Sequence, residues 1–399
     1  MLSSPNGDQA RATGSDGPLE VCFVGTHDPG FGRTSIIRHG LQRRGVTVVD
    51  WSLPAWGTTA ARLEAARRGL LNPGLALRLA QSYGTIAHHI RTARKQPDLY
   101  YVPYPAQLDV AFLRTMTPGQ PIVCDAFISF DETLADRGIG APLGATRRVA
   151  RFLDRLAFQL ADRIVVDTTA HLQRFAHELG LVPERGVVVP VGAEDPGPIP
   201  PSTSNRRNSP LRVLYFGGFI PLHGVPLIVE AARQLGPDSG IQFDLVGEGQ
   251  EAGAVERALK DASMSHVRLI RSWTPEAELI AQHVAAADVC LGAFASSPKA
   301  SDVVPAKVYL ALACRRAVLT ADTPAIRQEI LARTAPGGPP LLTCPAGDPS
   351  ALAAALGRLR DQTNLRDHIA DAGRRTYDAC FRPELVVEPL LPIIAQLSS

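Results

Sequence analysis

The chain has 399 residues, 45% hydrophobic and 20% charged, with 41 lysines and arginines against 39 acidic residues and a net charge of +2. That length favours two domains over one core, and so small a net charge argues against a nucleic-acid partner. Six scattered cysteines (22, 124, 290, 314, 344 and 380) form no CxxC and no Cys/His cluster, which argues against a zinc site and against a disulfide framework.

Residues 1–17 (MLSSPNGDQARATGSDG) are polar, lack the apolar core of a signal peptide and read as a disordered tail. No run reaches transmembrane length, so a cytoplasmic protein is expected. Short apolar runs then alternate with helical patterns. LEVCFVGT (19–26), TVVDW (47–51), LYYVPY (99–104), PIVCDAF (121–127), RIVVDT (163–168) and GVVVPVG (186–192) read as buried strands. Helix candidates such as TSIIRHGLQRR and ATRRVARFLDRLAFQLA lie between them. Residues 196–210, PGPIPPSTSNRRNSP, carry five prolines and read as a linker.

After it the alternation restarts with LRVLYFGG (211–218), IQFDLVGEG (241–249), HVRLI (266–270), DVCLGAF (288–294), RAVLTAD (316–322) and PLLTC (340–344). The expected fold class is α/β, with two doubly wound Rossmann-like domains facing across a cleft. Residues 18–195 form the first domain and 211–380 the second. Ligands of such sheets bind outside the carboxyl ends of the strands.

Two strands of the second half run into glycine, at Gly217 and Gly218 and at Gly247 and Gly249. Glycine lets backbone approach a ligand, and a following helix start offers free N–H groups to an anion. GTHDPGFGRT (25–34) also joins a strand to a helix, but it has neither the dinucleotide spacing nor a Walker lysine. In SDVVPAKVYLALA (301–313), Pro305 marks a helix start and Val308, Tyr309, Leu312 and Ala313 recur at helical spacing. Only four of the 41 cationic residues are lysines, yet Lys299 and Lys307 lie close together here.

In order and spacing, these segments resemble retaining glycosyltransferases of the GT-B architecture, similar to glycosyltransferase family 4. FVGTHDPGFGRTSIIRHGLQRRGVTVVD resembles the acceptor-side opening, VCDAFISFDETL and LADRIVVDTTAH the middle motifs, GGFIPLHGV and LVGEGQ the donor loops, and CLGAFASSPKASDVVPAKVYLALA the donor helix. The resemblance implies transfer of a sugar from a nucleotide-sugar (UDP-, GDP- or dTDP-linked) with retention of configuration. It implies no cofactor and no metal, an acceptor bound by the first domain, and residues 381–399 crossing back to that domain.

On the acceptor side it implies Gly25, Thr26, Gly32 and Arg33 as a binding loop and Asp125 at a strand end, meeting an acceptor hydroxyl. His171 is expected on a first helical turn capped by Thr168 or Thr169, facing the cleft near the sugar. On the donor side it implies Gly217, Gly218, His223, Gly247, Gly249, Lys299, Ser301 and Lys307, with Lys307 reaching the diphosphate. Relatives place two glutamates eight positions apart on the donor helix; the matching positions here are Asp302 and Leu310. Leucine cannot accept a ribose hydrogen bond. Three readings follow: a thymidine-type donor without the 2′ hydroxyl, compensation by another residue such as Ser301 or Glu248 or by water, or a non-catalytic sugar-nucleotide-binding homologue. A sugar-nucleotide epimerase on the same architecture is a further alternative. Arg147, Arg148, Arg151 and Arg155 give the 145–161 helix a basic face, which leaves open a peripheral contact with an anionic membrane.

Overall fold

In the computed structural model, residues 19–55, 73–136, 144–199, 209–260 and 264–398 are described. The 1–17 tail and residues 200–208 of the Pro-rich linker lie outside them. All twelve expected strands are present, in two six-stranded parallel sheets. The first has β1 (Glu20–Gly25), β2 (Thr47–Ser52), β3 (Leu99–Val102), β4 (Ile122–Asp125), β5 (Arg163–Val166) and β6 (Gly186–Val188), in the order β2-β1-β3-β4-β5-β6. The second has β7 (Leu211–Phe216), β8 (Ile241–Val246), β9 (Val267–Ile270), β10 (Val289–Leu291), β11 (Ala317–Ala321) and β12 (Leu342–Cys344), in the order β12-β11-β10-β7-β8-β9.

Both orders reverse direction at one point, between β1 and β3 and between β7 and β10. At such a point the loops leaving adjacent strands diverge to opposite faces and open a crevice. In the second sheet the loops after β7 and β10 border it and are tied together, the Phe294 N–H donating to the His223 carbonyl over 3.0 Å.

The strands are buried on both faces, which explains their continuous apolar runs. Helix Gly32–Arg43 packs Ile36, Ile37 and Leu41 on the first sheet. Its Gly40 has no room for a side chain: a Cβ there would lie 2.2 Å from the Pro383 carbonyl oxygen. The C-terminal segment rests on this face, with Arg43 paired to Glu384 at 3.1 Å. The Ala193 N–H donates to the Phe381 carbonyl, and the Tyr377 hydroxyl to the Ala193 carbonyl over 3.0 Å. One buried cluster therefore runs from Phe23 through Phe381 and Tyr377 to Tyr309 and Leu310.

The basic helix spans Gly144–Leu160. Two of its arginines, Arg147 and Arg151, pair with Asp131, while Val149 and Phe152 stand exposed. No helix among the described residues is long and apolar enough to cross a membrane.

Candidate functional site

The donor-side loops converge on helix Ala306–Ala313. Residues 307–313 are all buried, as an apolar helix between two layers must be. Pro305 is its N-cap rather than its first residue and supplies no side-chain cap, so the first-turn N–H groups lack a side-chain acceptor. Lys307 is 7% exposed. Its Nζ lies 3.9 Å above the centre of the Tyr215 ring and 3.3 Å from His223 Nδ1, and its Cε is 3.4 Å from where a Cβ on Gly217 would sit. No carboxylate pairs with it among the described residues, and burial pushes its pKa well below the usual lysine value.

His223 Nδ1 lies 2.6 Å from the Gly218 carbonyl, the shortest of its contacts, so this nitrogen carries the proton and donates there. Burial first, and then Lys307, keep the ring neutral. Trp273, 63% exposed, stands 3.8 Å from the Cβ position of Gly218.

Gly247 and Gly249 serve a different purpose from the expected ligand approach. Both have left-handed φ (+153° and +152°), and added Cβ atoms would lie 2.0 Å from the Gly217 carbonyl oxygen and 2.7 Å from that of Phe219. They let the second loop pack against the back of the first. Leu310 is buried within the core cluster. Ser301 closes the short helix Pro298–Asp302, its hydroxyl turned back to the Ser297 carbonyl. Lys299, on the same helix, lies within electrostatic reach of Glu132 and His223.

The first sheet corrects several acceptor-side expectations. Arg33 and Asp125 do not face the cleft. Asp125 is 1% exposed, Arg33 Nε lies 3.0 Å from its carboxylate, and the Tyr101 hydroxyl donates to it as well. Burial raises the Asp125 pKa against the pull of Arg33. Thr26 is also buried; its N–H and hydroxyl donate to Asp109, which a side chain on Gly25 would strike. Burial lifts Asp109 to about 6, opposed by the hydrogen bonds from Thr26 and Tyr83. Gly32 alone of this group is exposed.

His171 sits where expected along the chain, on the first turn of helix Thr169–Leu179 with Thr168 Oγ1 accepting from its N–H. Its ring, however, is fully buried. Nδ1 lies 2.7 Å from Asp167 and Nε2 3.1 Å from Glu132. Burial alone would lower its pKa, but the two carboxylates outweigh it and raise the value to about 10. Glu132 is correspondingly held at about 2: burial disfavours its charge, but His171 and Arg174 prevail. His171 is thus an enclosed imidazolium and not a cleft base.

Asp302 does reach the cleft. Its Oδ2 lies 3.0 Å from Arg174 Nε, an ion pair off the line of a hydrogen bond, and Arg174 also contacts Glu132. Burial raises the Asp302 pKa against Arg174. Glu132, Arg174 and Glu329 meet the cleft residues and were not singled out from sequence. Ser129 and Glu132 form a reciprocal cap, each N–H donating to the other side chain; that S-x-x-E spacing was legible but signals a helix start rather than a site.

Residues 8–192 match the family described as Glycosyl transferase 4-like domain, and residues 210–362 the family described as Glycosyl transferases group 1. No curated protein sequence matches the chain. Solved structures share the fold at low identity. Sucrose-phosphate synthase from Thermosynechococcus elongatus is 17% identical over 95% of this chain and 99% of its own, with a TM-score of 0.69. HepE from Anabaena, in complex with UDP-glucose, is 15% identical over 95% and 100%, with a TM-score of 0.67. A glycosyltransferase from Rickettsia africae is 12% identical over 95% and 98%, with a TM-score of 0.65. Between them the two family matches span most of the chain, and the paired parallel sheets carry the GT-B arrangement: the chain belongs to the glycosyltransferases, in the family 4-like group.

Proposed function

We propose that the chain takes a sugar from a nucleoside-diphosphate sugar held by the second domain and passes it, with retention, to an acceptor hydroxyl presented by the first. The observation that carries the donor half is Lys307, a buried amine without a carboxylate partner among the described residues, set beside the Gly217 turn and on the first turn of a helix. A diphosphate there supplies the missing countercharge, and the helix start adds N–H groups and a favourable dipole. The exposed face of Trp273 at Gly218 suits the base of such a ligand.

In the step, the bond from the anomeric carbon to the diphosphate oxygen breaks and the bond to the acceptor oxygen forms. Asp125 is engaged by Arg33, and His171 is already protonated. Glu132, held at about 2, is too weak a base. Asp302 is paired with Arg174; with the departing diphosphate oxygen as the proton acceptor, entry and departure share one face, which supports retention. Lys307 and the helix start carry the diphosphate charge, so no metal ion enters the step.

HepE structures hold UDP, UDP with glucose, and UDP-glucose, which supports a uridine donor. Leu310, an apolar side chain at the donor helix, keeps a dTDP-sugar in contention. Arg148 beside the exposed Val149 and Phe152 supports peripheral contact with an anionic membrane at the cytoplasmic face. Thermal melting with UDP, GDP, ADP and dTDP tests the donor site, because a ligand of the folded state raises Tm by mass action. One nucleotide is expected to stand out. No shift with any of the four sinks the donor reading.

A further inference from the structure

The first N–H of a helix has no partner inside the helix and must find one elsewhere. For helix Thr169–Leu179 that partner comes from the other domain. The Thr169 N–H donates to Glu329 Oε1 over 2.7 Å, across 160 positions of sequence. Glu329 is fully buried, on the helical turn Ile326–Ile330, and its other oxygen accepts from Arg333 over 2.8 Å.

Two more contacts cross at the same place. The Thr168 hydroxyl, while accepting from the His171 N–H, donates to the Asp302 carbonyl. Arg174, one turn further on, meets the Asp302 side chain. The helix carrying His171 is therefore docked on two segments, 298–302 and 326–330, that lie on either side of donor helix 306–313 in the chain.

We propose that Glu329 is a positioning residue for transfer: by capping the first domain's helix in trans, it clamps the cleft shut with Asp302, Arg174 and Glu132 in line. The role in transfer rests on the donor reading above; the clamp itself does not. Parting the domains hands both the Thr169 N–H and the Glu329 carboxylate to water, so the clasp is reversible. While closed, it sets the Glu329 carboxyl group at the positive end of the helix, in a bond shielded from solvent. Among the described residues no hydrogen bond or ion pair joins Glu329 to Lys307 or Gly217, so the clasp acts on the alignment of the domains and not on nucleotide affinity.

Two substitutions cut the same bond from opposite sides. Glu329→Ala removes the acceptor. Thr169→Pro removes the donor while suiting the helix, since proline is favoured at a first helical position and Thr168 already has the extended backbone (φ −141°, ψ 156°) that precedes proline. Glu329→Gln keeps a neutral acceptor. The expected result is a larger radius of gyration by small-angle scattering, and faster amide exchange around residues 169–171, for Glu329→Ala. Thr169→Pro should show the same expansion, and Glu329→Gln should stay close to wild type.

With UDP-glucose as probe, kcat for sugar release is expected to fall at least tenfold in the first two variants while the Kd for UDP stays within twofold. Unchanged scattering in both Glu329→Ala and Thr169→Pro overturns the clasp. So does a loss of UDP affinity matching the loss of kcat. If wild-type protein does not bind UDP at all, the donor reading has failed, and scattering and exchange still decide the clasp.

Discussion

The two walls of the cleft differ in how their charges are met. On the first-domain wall every buried charge described has a partner close by: Asp125 has Arg33, His171 has Asp167 and Glu132, and Asp109 has Thr26 and Tyr83. On the second-domain wall Lys307 has no carboxylate among the described residues, and the helix start beside it has no side-chain cap. A paired buried charge is part of the scaffold. One without a countercharge costs folding free energy that only a ligand returns. The donor wall is thus marked by what its residues lack, and residue type alone is a poor guide to which side chains do chemistry.

The sharpest break of this comparison is Asp125→Ala. It strands the Arg33 guanidinium in the core, and loss of one partner of a buried pair costs about 3–5 kcal/mol. Chemical denaturation is expected to register that loss, with nucleotide affinity of the remaining folded protein unchanged. Lys307→Met is expected to do the reverse. The melting temperature holds or rises, because a partnerless buried amine is gone, while nucleotide affinity by calorimetry falls about 10- to 100-fold, the worth of a charge-assisted contact. A drop in stability with affinity intact would reassign Lys307 to the scaffold.

The glycines sharpen the picture at smaller scale. Gly247→Ala forces a Cβ onto the Gly217 carbonyl at a left-handed φ, with on the order of 1–3 kcal/mol of backbone strain expected. Gly218→Ala meets only ordinary contacts at 3.7 Å or more and is expected to stay within about 0.5 kcal/mol of wild type.

His171 makes the comparison sensitive to pH. Its folded pKa is raised from 6.5 to about 10, so the stability it contributes is fully present below pH 6.5 and is lost as pH rises through 10. A decline in Tm of about 2–4 °C per kcal/mol lost is expected between pH 6.5 and 10, and His171→Gln should flatten it. Glu132 works in the opposite sense: lowered to about 2, it contributes above pH 4.5 and loses that contribution as pH falls toward 2.

The sequence by itself determined the strands, the two-sheet organisation and the donor helix. Each rests on local pattern: apolar runs with glycine or proline at their ends, and helical spacing after Pro305. It also placed His171 on a capped first turn, because a Thr cap and its helix are neighbours in the chain. Only the tertiary structure decided which polar residues face the cleft. Asp125 ends a strand in sequence just as a ligand-binding aspartate does; Arg33, 92 positions away, is what turns it inward. Glu329 carries no local signal at all, since its partner lies 160 positions away in the other domain. Lys307 stands between these cases. Its position on the helix was legible, but its burial without a countercharge depends on what every other element left unpaired around it. Local structure follows from short-range periodicity and backbone preference, whereas the balance of charge in a site is a sum over groups that only folding brings together.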